Sequence, residues 1–309
     1  MMNKNNKRRK DLFELYSNDF RKITENMKLG LQYPVYVCPL CRRYFNESHL
    51  EQSEKNPLTI EHVPPENSGG KDLILTCKEC NNNHGAWYDS QLTKMDETEK
   101  FLNLFDGAEL RTTLTFNEKV KIGSTIKVFP NNNIGIIMDS KRTNPKYHNE
   151  INKLVRNDYK SGSIEFNLPI PDSPKISIAL LRSAYLLMFK TLGYKYGLSI
   201  NSEHIRRWIQ NYKTNHKGFN GIVKSEIDDR YLGIHKISEP NSLQGRFLVV
   251  IKIKTDMLNT NYGLILPGLY ENEGIDYDNL GSNIGEGKSK PFNPQDLTKM
   301  NFKLVNPPV

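Results

Sequence analysis

The chain has 309 residues, is 37% hydrophobic and 25% charged, and carries 43 basic against 35 acidic side chains for a formal net charge of +8. That apolar content excludes a disordered polymer, and the length exceeds the roughly 100 to 200 residues of an ordinary domain, so two domains are expected. The most apolar run, residues 176–196, is broken by Arg182 and Lys190, short of the roughly 18 to 20 uninterrupted apolar residues of a membrane span. No membrane partner is expected. The basic N-terminus lacks the apolar stretch of a signal peptide, which points to the cytoplasm. The first hundred residues hold 15 basic and 15 acidic side chains and the remainder 28 and 20, so the whole excess lies C-terminal. A neutral catalytic part followed by a basic part that grips phosphates fits this division, and so does a solvated basic surface.

Leu12, Tyr16, Phe20, Ile23 and Met27 recur at helical spacing with Gly30 as a C-terminal cap, giving a basic segment and amphipathic helix over residues 1–32. From Tyr33 to Cys80 the text turns to Pro, Cys and Gly punctuation around short β-branched runs, LTIEHV and LILT, which predicts small strands and turns. A helix starts near Cys80 and runs toward Phe105, ended by Gly107. Beyond it, residues 112–130, 133–140 and 161–170 predict strands, 173–197 a buried helix, 202–212 a second helix, and 231–238, 245–255 and 261–268 further strands. Residues 281–296 are expected to form a mobile loop. The class is α+β, with a separate C-terminal α+β domain, 106–309, of no recognisable fold and no recognisable catalytic motif.

All four cysteines fall in two C-x-x-C pairs, Cys38/Cys41 and Cys77/Cys80. Each pair puts two thiolates on one side of a tight knuckle, and two facing knuckles complete the sulfur cage that zinc favours. Disulfides, a redox pair or free core thiols are the other uses of such cysteines, and disulfides do not suit a cytoplasmic chain. The 35 residues between the pairs exceed the usual 15 to 20, so they must form a folded insert clamped at its ends.

From the insert through the second cysteine pair, residues 59–85 read TIEHVPPENSGGKDLILTCKECNNNHG, which resembles the HNH endonuclease family. The family's ββα-metal motif runs from an acidic-His pair at a strand end, through a Gly-rich loop and a second strand, to an Asn or His opening a helix, often bracketed by two C-x-x-C knuckles. The likeness covers about residues 36–92 and implies an HNH nuclease domain over 33–105. It implies structural zinc on Cys38, Cys41, Cys77 and Cys80, and hydrolysis of phosphodiester bonds in DNA. His62 would be the general base, since an imidazole can take a proton from water near neutral pH. Glu61, on the opposite face of the strand, and Asn81 would hold Mg²⁺ or Mn²⁺ through oxygen. Most relatives carry Asp at the position of Glu61 and Asn at the position of Asp72, so Asp72 either orients the histidine or joins the metal shell. Relatives with one extra domain serve in restriction or phage defence.

His84, three residues after Asn81, either completes the metal shell, touches the scissile phosphate or packs beside the knuckle. Gly69 and Gly70 suit a positive-φ turn and a close backbone approach to substrate. Lys71, Arg42 and Arg43 are the candidate phosphate contacts, with solvated surface cations as the alternative. Asp89 reads as a solvent-facing or packing residue. Trp208 with Arg206 and Arg207 reads either as a base-stacking face or as a helix with its tryptophan in the core. Two other functions compete with DNA cutting: a catalytically silent zinc module that binds nucleic acid or protein, and an RNA-cutting enzyme of the same chemistry. Double-strand cleavage by one site per chain would call for a homodimer.

Overall fold

A computed structural model of the chain describes residues 4–26, 34–116, 120–156, 164–166, 170–211, 218–223, 226–277 and 288–291. The chain is a mixture of helix and sheet. It forms two compact units, one from Met1–Ser90 together with Ser173–Val309 and one from Gln91–Asp172. This division differs from the expected boundary at residue 106. The reason lies in helix α5, Ser173–Leu192, which is apolar on every side and buried from Ser177 onward apart from a few positions. A helix of that kind must be covered all round. It packs on the strands before residue 90 as well as on those after 230.

In the first unit, α1 (Lys4–Asn26) buries Phe13, Tyr16, Phe20 and Ile23, the expected stripe displaced by one position at its start; Met27 and Gly30 lie outside the described residues. Strands β1 (Tyr36–Val37) and β2 (Tyr44–Phe45) flank the first C-x-x-C turn, and β3 (Leu58–Val63) pairs antiparallel with β4 (Asp72–Cys77). Helix α2, Lys78–His84, follows β4 directly and passes through a π-helical turn, Gly85–Asp89, into α3, Ser90–Leu102. After α5 come the short α6 (Tyr194–Gly197) and α7 (Ile200–Gln210). A five-stranded antiparallel sheet of order β13-β10-β11-β12-β9 completes the unit, its strands being β9 (Ile222–Val223), β10 (Gly233–Glu239), β11 (Phe247–Lys254), β12 (Asn259–Leu266) and β13 (Lys288–Pro291). Of the segment 281–296, β13 is described and the rest lies outside the described residues.

The second unit contains most of α3, helix α4 (His148–Val155) and a four-stranded antiparallel sheet of order β7-β6-β5-β8. These strands are β5 (Glu109–Phe116), β6 (Val120–Phe129), β7 (Asn133–Met138) and β8 (Ile164–Phe166). Leu114, Val120 and Ile122 pack together in its core.

The first knuckle is tied to the C-terminal helices by backbone capture. Tyr194 Oη accepts from the Val37 amide at 2.7 Å and donates to the Val37 carbonyl at 2.6 Å. Tyr185 Oη donates to Pro39 O at 2.8 Å and Arg206 Nη1 to Leu40 O at 3.0 Å. Tyr16 stacks on Phe189 with ring centroids 5.0 Å apart, and Phe20 meets Tyr194 edge-on at the same separation. Trp208, half-buried, belongs to an aromatic cluster with Phe219 and Tyr277.

The β3–β4 connection explains the glycine pair. Gly69 has φ +87° at the end of the turn Glu66–Ser68, a conformation that L side chains seldom adopt. Gly70 is needed for space, because a Cβ there would lie 1.5 Å from Pro64 O. The close approach is therefore to the protein's own backbone. Gly70→Ala is expected to destabilise the chain by roughly 3 kcal/mol or more, read as a lower urea midpoint at unchanged slope.

Candidate functional site

The four thiols form a single cluster, with all four Sγ atoms within 4.8 Å of one another. The first knuckle closes because Arg42 N donates to Cys38 O and Cys38 N to Arg43 O, with Arg42 at φ +60°. The second places Cys77 at the N-cap of α2 and Cys80 in its first turn, so two sulfurs sit at the positive end of a helix. Crowding drives the protons apart. The Cys41 thiol is lowered by hydrogen bonding with Cys38, then Cys77 and Cys80, while burial raises the Cys38 thiol well above its ordinary value. Arg43 Nε donates to Cys41 Sγ at 3.4 Å and Nη2 to Cys77 Sγ at 3.7 Å while pairing with Glu79 at 2.7 Å. Four soft donors within 4.8 Å of one another, with a guanidinium to offset their charge, could hold a metal ion such as zinc.

Pleating of β3 puts Thr59, Glu61 and Val63 on one face and Leu58, Ile60 and His62 on the other. His62 keeps 30% of its side chain exposed, with Nδ1 3.9 Å from the Glu66 carboxylate. Asn81, directly after Cys80, donates from Nδ2 to Thr59 Oγ1 at 3.1 Å and to Ile60 O at 3.5 Å. Its carbonyl oxygen thereby meets no donor among the described residues. Strand and helix thus bring Asn81 beside the Glu61-His62 segment.

Glu61 behaves differently from an open ligand. It is 4% exposed, and its Oε2 lies 2.8 Å from Arg182 Nη2. Arg182 is fully buried and its Nη1 donates to Asp89 Oδ2 at 3.0 Å. Asp89, read from spacing as solvent-facing or packing, is carried inward by the π-helical turn. Burial pushes its carboxyl up to about 6 against the lowering pull of Arg182. His84 is buried at 1% exposure with its ring against Tyr88. Burial first, and the charge of Arg182 second, push its imidazole down to about 3, so it is neutral at any physiological pH and faces the interior rather than a phosphate. Of the oxygen donors expected for a hard cation, the Asn81 carbonyl meets no donor among the described residues, and Glu61 Oε2 faces the Arg182 guanidinium as an ion pair outside hydrogen-bond geometry.

The expected phosphate contacts divide three ways. Lys71 is exposed. Arg43 is engaged on the thiol cluster. Arg42 is 7% exposed, pairs with Glu203 at 2.8 Å and donates to Gly197 O at 3.1 Å, so it pins the first knuckle to α6 and α7 and is not free for a phosphate. Asp72 pairs with Val63 at the turn end of the hairpin through its backbone; its side chain lies outside the described residues. Sequence reasoning missed Arg182 and Glu203. Arg182 was visible only as an interruption of an apolar run, which is itself the mark of a buried charge with a partner. No protein-family model, no curated protein and no solved structure matches the chain.

Glu203 collects Arg42, Arg206 and Arg207 within 2.6 to 2.8 Å. Burial alone would raise its carboxyl, but the hydrogen bonds of Arg206 and Arg207 and the charge of Arg42 bring it down to about 2 from an ordinary 4.5. The unfolded chain then binds this proton more tightly than the folded one, so the stabilisation is full above pH 4.5 and lost as the pH falls toward 2. Glu203→Gln is expected to cost about 3 kcal/mol at pH 7 and to flatten the loss of stability between pH 5 and 3, measured by urea unfolding across that range.

Proposed function

We propose that β3, β4 and α2 form the reaction centre of an endonuclease that hydrolyses phosphodiester bonds in DNA, built on an HNH-type ββα unit braced by structural zinc. One observation carries this: the strand bearing Glu61-His62 leads through a glycine turn into β4 and directly on into α2, whose first turns carry Cys80-Asn81 beside a four-thiol cluster. Those are the parts, in the order, that the HNH resemblance requires.

His62, half-exposed at the end of β3, would accept the proton of the attacking water. Asn81, whose carbonyl oxygen meets no donor among the described residues, would hold a divalent cation, Mg²⁺ or Mn²⁺. Such an ion supplies the Lewis acid that stabilises the crowded phosphorus and the departing 3′ oxygen. Zinc on the four thiolates would be a closed structural site that fixes the start of α2, and so Asn81, against β3. Lys71 and the basic surplus beyond residue 100 would contribute phosphate contacts. A role in restriction or phage defence is in keeping with the same resemblance.

The burial of Glu61 favours a second reading, a catalytically silent zinc module. The exposed imidazole of His62 and the open carbonyl of Asn81 weigh against it, because a purely structural module requires only the cysteines.

Supercoiled plasmid is expected to become relaxed and then linear with Mg²⁺ or Mn²⁺ and to stay intact with excess chelator. His62→Ala should lower the rate by about a hundredfold or more; equal cutting by wild type and variant would refute the mechanism, and a parallel digest of single-stranded RNA separates the two substrates. Metal analysis should find about one zinc per chain, and Cys77→Ser should lose it together with the cooperative unfolding transition of the first unit.

A further inference from the structure

We infer that Glu61 is a positioning residue, anchored with Asp89 on the single guanidinium of Arg182, and not a ligand of the catalytic ion. This rests on the nuclease reading of the β3–β4–α2 unit and changes its donor set.

Arg182 sits in α5 with no exposed surface; one terminal nitrogen lies 2.8 Å from Glu61 Oε2 as an ion pair outside hydrogen-bond geometry, and the other donates to Asp89 at 3.0 Å. A guanidinium cannot shed its charge inside a protein. A divalent ion on the Glu61 carboxylate would therefore be brought against a fixed positive charge a few ångströms away, in a place where little water screens it. Asn81, half-buried at the edge of β3, has no such competitor.

What the arrangement does well is fix geometry. Glu61 adjoins His62 on β3, and Asp89 ends the π-helical turn that continues the helix of Asn81. One side chain from α5 thus holds both the strand that carries the base and the helix that carries the amide. Two carboxylates share one cation, so either alone leaves a neutral pair with Arg182, while loss of both leaves a bare buried charge.

The zinc-loaded full chain tests this with Glu61→Gln, Asp89→Asn, the double variant and Asn81→Ala. Each single amide variant should keep a melting temperature near wild type, and the double variant should fall far below the sum of the two. Glu61→Gln should bind Mn²⁺ within about threefold of wild type, with kcat lowered about tenfold and KM for DNA unchanged, whereas Asn81→Ala should loosen Mn²⁺ more than about tenfold. If Glu61→Gln loosens Mn²⁺ as much as Asn81→Ala does, Glu61 is a ligand and the proposal falls while the nuclease reading stands. A wild-type chain that neither binds Mn²⁺ nor cuts DNA sinks both. Additive melting shifts in the double variant also overturn the shared anchor.

Discussion

A single guanidinium deep in α5 governs how the first unit is put together. A buried arginine is tolerable only if its charge is met, and desolvation of the ion makes the loss of all partners far costlier than any one contact is worth. Arg182 finds its partners in two places distant in sequence, Glu61 on β3 and Asp89 after the π-helical turn. The position of each is therefore fixed by a residue more than ninety places further on. The wide turn at Gly85–Asp89 has its use here, because an extra residue in the winding changes which side chain faces α5.

The knuckles follow the same principle with neutral groups. A C-x-x-C turn leaves backbone amides and carbonyls without strand partners, and buried ones must be satisfied. Tyr185, Tyr194 and Arg206 supply that satisfaction from the C-terminal helices, and the Arg42–Glu203 pair adds a charged link. The thiol cluster and the helices are consequently one construction. Any ion held by the four sulfurs closes the knuckles locally, and the tyrosines decide where the closed knuckles stand.

Local features were legible in the sequence and distant ones were not. The two C-x-x-C pairs announced their cluster because spacing fixes a knuckle. The strands LTIEHV and LILT, and the helix after Cys80, followed from β-branched runs and helical periodicity, and Gly69 from the turn it punctuates. The domain boundary at residue 106 was set by a change in charge and text, which carries no information on what α5 packs against. Asp89 was legible as a packing residue, but not its pairing with Arg182, which lies 93 positions further on. Arg42 looked like a surface cation because nothing local marks Glu203 as its partner. Glu61 could be recognised as a functional type, but its engagement with Arg182 depends on a contact across 121 positions that periodicity does not encode.

The first unit draws on two stretches of chain separated by residues 91–172. During synthesis the hairpin, the knuckles and α2 leave the ribosome long before Arg182, Tyr185, Tyr194 and Arg206 exist. Until then the carboxylate of Glu61 lacks its Arg182 counter-charge and the first knuckle, packed on α1, lacks the helices that capture its backbone. Assembly waits for α5 through α7, some ninety residues later, and contacts of such long range are slow to form. A chain released before that point would carry every residue of the proposed centre but lack the part of its framework that α5 through α7 supply.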